Sequence, residues 1–113
     1  MTTRRLKRRS VIAGTVATAA VPGLLLAETG KVHDIAVRSF AFLPELVQVR
    51  FGDVIRWTNN DIAPHTATAD DSGWDTGTLA KDAAAEVQVT AGMETTYFCA
   101  FHPHMKGRIE IID

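Results

Sequence analysis

Cys99, His102 and Met105 stand three residues apart in the stretch YFCAFHPHMKG, so a thiol, a thioether and, with His104, two imidazoles fall within seven consecutive positions. Cys99 is the only cysteine of the 113-residue chain. Pro103 limits how the intervening turn can fold, and a loop this tight can aim its three donors at one point. A fourth donor has to come from elsewhere. His65 is the candidate: it follows Pro64 at the head of a short run of small and β-branched residues, 34 positions before the cysteine. A separation of that size brings two neighbouring loops of a β-sandwich together.

Such a donor set has definite metal preferences. Thiolate and thioether are soft donors suited to Cu(I), imidazoles serve Cu(II), and a site that mixes them can hold copper in both oxidation states. One Cys and two His with a weak Met is the arrangement of blue-copper electron-transfer centres. Structural zinc fits less well, because it takes four Cys or His ligands and has little use for a thioether. Two further readings stay open on the residues alone. Cys99 could be a nucleophile activated by His65 or His102, which leaves Met105 unexplained; or the chain could carry or store copper without passing electrons. Each residue also has a plainer role: a lone strand cysteine packs as a small hydrophobe, and Met105 fills core while Met93 or a backbone oxygen completes the site. His104 is expected to point away from the metal, His33 to lie on the surface, and Trp57 and Trp74 to be packed in the sandwich rather than to relay electrons.

The elements that must position these donors read as strands almost throughout, with no sustained helical period. His33 to Phe42 places Ile35 and Val37 on one face, and Leu46 to Phe51 does the same for Val47, Val49 and Phe51. Gly52-Asp53 turns into Val54 to Thr58, which closes at Asn59-Asn60-Asp61. His65 to Ala69 is short, Trp74 to Leu79 short or irregular, and Lys81 to Ala85 a loop; Glu86 to Thr90, Glu94 to Phe101 and Gly107 to Ile112 complete the set. Seven to eight short strands punctuated by Gly, Asn and Asp turns predict an all-β Greek-key sandwich.

The first quarter of the chain differs from the rest. Residues 1–9 hold Arg4, Arg5, Lys7, Arg8 and Arg9 and no acid, and Val11 to Ala27 is apolar, which is the layout of an export signal over residues 1–27 ahead of a domain spanning 28–113. Arg8-Arg9 before Ser10-Val11-Ile12 resembles a twin-arginine signal, with an ordinary secretory signal as the alternative and Ala27 or Ala19 as the cleavage point. At 17 residues, interrupted by Pro22-Gly23, the apolar run falls short of the roughly 20 residues needed to span a bilayer, and the mature domain is expected not to insert in a membrane. The expected location is the periplasm.

Removing five of the twelve basic residues leaves seven against thirteen acids, so the mature domain carries about −6 rather than the −1 of the whole chain. That charge argues against nucleic acid, which demands clustered Lys and Arg. In an oxidising compartment, a small domain with one cysteine cannot be stapled by an internal disulfide, and a metal gives that cysteine a purpose.

The runs YFCAFHPHMKGRIEI and PHTAT, with FLPELVQVRFGDVIRWTNND upstream, resemble the cupredoxins, the type I blue-copper proteins, nearest to the amicyanin and plastocyanin group. The resemblance implies one copper ion with His65, Cys99 and His102 as equatorial ligands and Met105 as the axial one. It also implies a buried Tyr97 whose hydroxyl ties a corner of the sandwich, and a Thr66 that replaces the asparagine of amicyanins yet can still anchor the ligand loop. Its functional expectation is a monomeric carrier of single electrons, not an enzyme. A cytochrome or dehydrogenase would dock near Pro64, Phe101, His102 and Pro103, steered weakly by Asp61, Asp70, Asp71 and Asp75.

Overall fold

The computed structural model describes residues 30–112; the expected export signal lies outside them. Eight strands follow one another: β1 (Val32–Arg38), β2 (Ala41–Leu43), β3 (Leu46–Val49), β4 (Val54–Asn59), β5 (Thr68–Ala69), β6 (Ala84–Gln88), β7 (Thr96–Cys99) and β8 (His102–Ile111). They form two four-stranded sheets, ordered β2-β1-β4-β6 and β3-β8-β7-β5, as the strand-rich sequence predicts. β1 runs parallel to β4 and β3 parallel to β8, while the other pairs are antiparallel.

Strand alternation turns one side of each strand inward. Ile35 and Val37 of β1, Val47 and Val49 of β3, Ile55 and Trp57 of β4, and Met105 and Ile109 of β8 meet in one core with Phe42, Leu79, Val89, Tyr97 and Cys99. Trp57 is wholly buried and stacks on half-buried Trp74 at 5.3 Å between ring centroids. The Trp74 indole donates to the Glu94 carbonyl at 2.9 Å, so both tryptophans are accounted for by packing.

Two boundaries differ from expectation in ways that shape the site. The single strand expected over His33 to Phe42 breaks at Ser39 and Phe40, which adopt left-handed backbone angles (φ 55° and 57°). Neither residue favours that region by itself. The Asp61 carboxylate overrides the preference by accepting both turn amides, at 2.8 and 3.2 Å. β8 begins at His102 rather than Gly107: Cys99 pairs with His102 across a two-residue turn, and Phe98 then pairs with Lys106. Pro103, His104 and Met105 are thus extra residues without partners on β7, a bulge that tolerates a proline lacking an N–H. β6, in turn, starts at Ala84 inside the expected loop.

His33 is not a plain surface residue. Its Nε2 lies 2.8 Å from Asp53, whose buried carboxylate also accepts the amides of Lys31 and Arg50 at 3.0 and 2.9 Å. Burial alone would raise the Asp53 pKa, but these hydrogen bonds, led by the Arg50 amide, hold it below the usual value of 3.8. A carboxyl depressed on folding stabilises the fold fully above its unfolded pKa and loses that contribution as pH falls through the folded one. Thermal stability is therefore expected to fall as the pH drops below about 4, and Asp53→Asn to flatten that acid limb while costing about 1–3 kcal/mol at neutral pH. Melting curves from pH 2 to 7 check it; parallel limbs in the two proteins would show that Asp53 plays no such part.

The tyrosine tie implied by the family resemblance is absent. The Tyr97 hydroxyl is buried without a hydrogen-bond partner among the described residues, as is the Trp57 indole nitrogen. Burial pushes the Tyr97 phenol up to about 12, the nearby Trp57 side chain pulling weakly the other way. Deleting a hydroxyl that makes no bond relieves a desolvation penalty, so Tyr97→Phe should change stability by less than about 1 kcal/mol. A loss of several kcal/mol on urea unfolding would reveal a bond that this geometry lacks.

Candidate metal centre

The β7–β8 turn and the segment before β5 deliver the donors. Cys99 closes β7 facing the core, His102 opens β8 opposite it, and His65 forms an isolated bridge with Leu79, its amide and carbonyl both paired at 3.2 and 2.8 Å. The Cys99 Sγ lies 3.7 Å from the Nδ1 of His65 and 3.7 Å from the Nδ1 of His102. All three candidate ligand atoms fall within 4.8 Å of one another. Residues 34 positions apart in the chain thus converge as their types suggested.

Cys99 and His65 are fully buried and His102 is half-buried, so His102 is the imidazole that reaches the surface. Met105, at 2% exposure, points inward from the bulge and belongs to the same buried cluster as Cys99. His104 is exposed, as expected. Met93, weighed as a substitute donor, is engaged elsewhere: its sulfur accepts the Thr90 amide at 3.4 Å and its side chain packs on the core.

A layer of hydrogen bonds holds these donors. The Thr66 amide donates to the Cys99 sulfur at 3.4 Å, and the Thr66 hydroxyl accepts the Ala100 amide at 2.8 Å, so Thr66 anchors both ligand segments to each other. A second hydroxyl, that of Thr68, lies 2.9 Å from that of Thr66. Asn59, wholly buried, donates to the carbonyls of Ala63 and Leu79 and accepts the Asp61 amide, which fixes the loop leading to His65.

Asp61 departs from the role expected of a solvated steering acid. Its carboxylate lies 2.8 Å from the His65 Nε2 while accepting the amides of Ser39 and Phe40. The Ser39 amide foremost, then Phe40 and His65, keep its pKa below the usual carboxylate value against the opposing pull of burial. Asp70 and Asp75 are likewise tied down, by the hydroxyls of Thr96 and Thr68. Phe40 escaped the sequence reading altogether. Its ring meets His65 edge-on at 5.4 Å and His102 at 4.8 Å. No local signal marks it, because only the turn that Asp61 stabilises brings it over the site.

The donors fit a copper ion. Metal–nitrogen bonds of about 2.0–2.1 Å and metal–sulfur bonds of about 2.3 Å span S···N separations of roughly 3.6–3.8 Å at angles between tetrahedral and trigonal. The two observed separations of 3.7 Å lie in that window. One cysteine sulfur and two imidazoles, with the Met105 thioether in the same buried cluster as Cys99, are the soft and intermediate donors that copper prefers.

Comparison with solved structures places the fold. The chain matches a reduced amicyanin bearing a proline-to-phenylalanine substitution (22% identity, TM-score 0.63) and the Cu(I) form of a methionine-to-alanine amicyanin mutant (22%, 0.64). It also matches an oxidised amicyanin with a proline-to-glycine change (20%, 0.64). Each match covers 72% of this chain and 82% of the other. The fold is that of amicyanin. No protein-family model matches the sequence, and no curated protein does. Within that fold, His65, Cys99 and His102 form a group that could hold a metal ion. None of the described residues forms a helix long and apolar enough to cross a membrane.

Proposed function

We propose that this protein is an exported, periplasmic carrier of single electrons that holds one copper ion through His65, Cys99, His102 and Met105. The observation that carries the reading is the buried Cys99 sulfur set 3.7 Å from each of two imidazole nitrogens. Bound copper supplies the one-electron step by alternating between cuprous and cupric states.

The remaining work belongs to the chain. Thr66, Asn59 and the His65–Leu79 bridge hold the donors in one arrangement, so little has to move when the charge on the site changes. The Thr66 N–H donates to the Cys99 sulfur and so helps to fix where that sulfur sits. Phe40, whose ring meets half-buried His102, and Phe101, next to it in the chain, are about half exposed, with Pro64 and Pro103 also at the surface. An apolar rim of this kind suits brief docking of a redox protein, and the electron would pass through the outer edge of His102.

Copper loading followed by a redox titration tests the reading. An intensely coloured Cu(II) protein that is reduced and reoxidised by one electron without losing metal is expected; a colourless copper complex, or release of copper on each reduction, would favour a metal carrier instead. Met105→Leu is expected to retain the colour and to raise the reduction potential by roughly 60 mV or more, a tenfold change for a one-electron couple. A hydrocarbon in place of the thioether removes a donor and makes the surroundings less polar, and both changes penalise the more highly charged Cu(II). An unchanged potential would remove Met105 from the ligand set.

A further inference from the structure

His65 has no freedom left before any metal arrives. Its side chain is 0% exposed, its backbone is paired on both sides with Leu79, and its Nε2 lies 2.8 Å from the Asp61 Oδ2. An ionised carboxylate can only accept. The shared hydrogen therefore sits on Nε2, and in the neutral imidazole Nδ1 is then the acceptor nitrogen, facing the Cys99 sulfur.

The same carboxylate reaches a second element. Its Oδ1 accepts the Ser39 amide and its Oδ2 the Phe40 amide, imposing the two left-handed residues that carry the Phe40 ring onto both histidines. The Asp61 side chain is 18% exposed, and its own amide is held by buried Asn59, so the carboxylate is presented from a fixed loop.

We propose that Asp61 is the positioning residue of this metal centre: its carboxylate selects the His65 tautomer that offers Nδ1 to the metal and, through the Ser39–Phe40 turn, sets the aromatic cover over both imidazoles. The proposal rests on the copper reading above. A carboxylate on the far nitrogen of a ligand imidazole raises the basicity of the near one, which favours Cu(II) over Cu(I).

Nitrogen-15 NMR of the metal-free protein reads the tautomer of His65 directly, and a copper titration by competition with a chelator reads the affinity. Wild type is expected to carry its proton on Nε2. Asp61→Ala should mix the two tautomers, weaken Cu(II) binding 10- to 100-fold and raise the reduction potential. Asp71→Asn removes the same charge from an exposed turn and should change none of these. Should Asp61→Ala fail to fold, Asp61→Asn serves: one carbonyl oxygen cannot accept on both sides, so tautomer mixing is expected there too. A wild-type proton on Nδ1, or variants that keep both the wild-type tautomer and an affinity within threefold, would overturn the proposal. Failure of wild type to form a coloured copper complex would sink the copper reading separately, because the tautomer is measured without metal.

Discussion

Replacing Cys99 by alanine is expected to remove the colour of the copper-loaded protein while leaving the sandwich folded. The intense absorption of a blue-copper centre arises from its thiolate, and Cys99 is the only sulfur–hydrogen group in the chain. Cys99 lies with its sulfur between two imidazoles and its exposure at 0%. Alanine keeps most of the packing, since a buried cysteine behaves as a small hydrophobe. What is lost locally is the acceptor for the Thr66 amide, worth about 1–3 kcal/mol when the donor stays buried and unpaired. The Cu(II) affinity should fall further than the 10- to 100-fold typical of losing an outer hydrogen-bond partner, because a direct donor has gone. Absorption and copper titration of Cys99→Ala, with circular dichroism to follow the fold, check this. A variant that stayed intensely coloured would refute the thiolate assignment.

Gly107→Ala should be the most damaging single methyl group that can be added to β8. A side-chain carbon at Gly107 would collide with the ring and hydroxyl of Tyr97, its partner across the β7–β8 ladder. The ring cannot give way: Phe42 packs on it at 4.8 Å, Trp57 at 5.4 Å and Trp74 at 5.6 Å. Overpacking of a closed core costs about 1–3 kcal/mol and more where neighbours are rigid, so a loss of about 3 kcal/mol is expected. In a domain of this size that corresponds to a melting temperature lower by roughly 12–24 °C. Tyr97→Leu removes the obstructing ring, so the cost of Gly107→Ala should shrink sharply in the Tyr97→Leu background. Additive losses in the double mutant would show that the glycine is required for some reason other than room.

Much of the candidate metal centre was legible in the chain before any fold was known. Cys99, His102 and Met105 announce themselves because a three-and-three spacing in a short loop is a local property, and His65 because Pro64 and the following small residues mark a strand start. The alternation that put Ile35 with Val37, and Val47 with Val49, on one face likewise foretold that these residues turn inward, since a strand's period of two depends only on its own backbone.

What escaped was every role set by a distant partner. Asp61 reads as one more turn acid, yet its carboxylate gathers a ligand imidazole and two amides from a turn more than twenty residues upstream. Phe40 reads as strand and is instead the cover of the site; His33 reads as surface and is the partner of buried Asp53. The hydroxyl tie expected of Tyr97 is not made for the converse reason, because no hydrogen-bond partner is brought to it among the described residues. Residue type and spacing determined which atoms of this protein could bind a metal and which strands would carry them. Which hydrogen bonds hold those atoms in place was decided by the closing of two sheets on each other, because such bonds join groups whose separation along the chain carries no information about their separation in space.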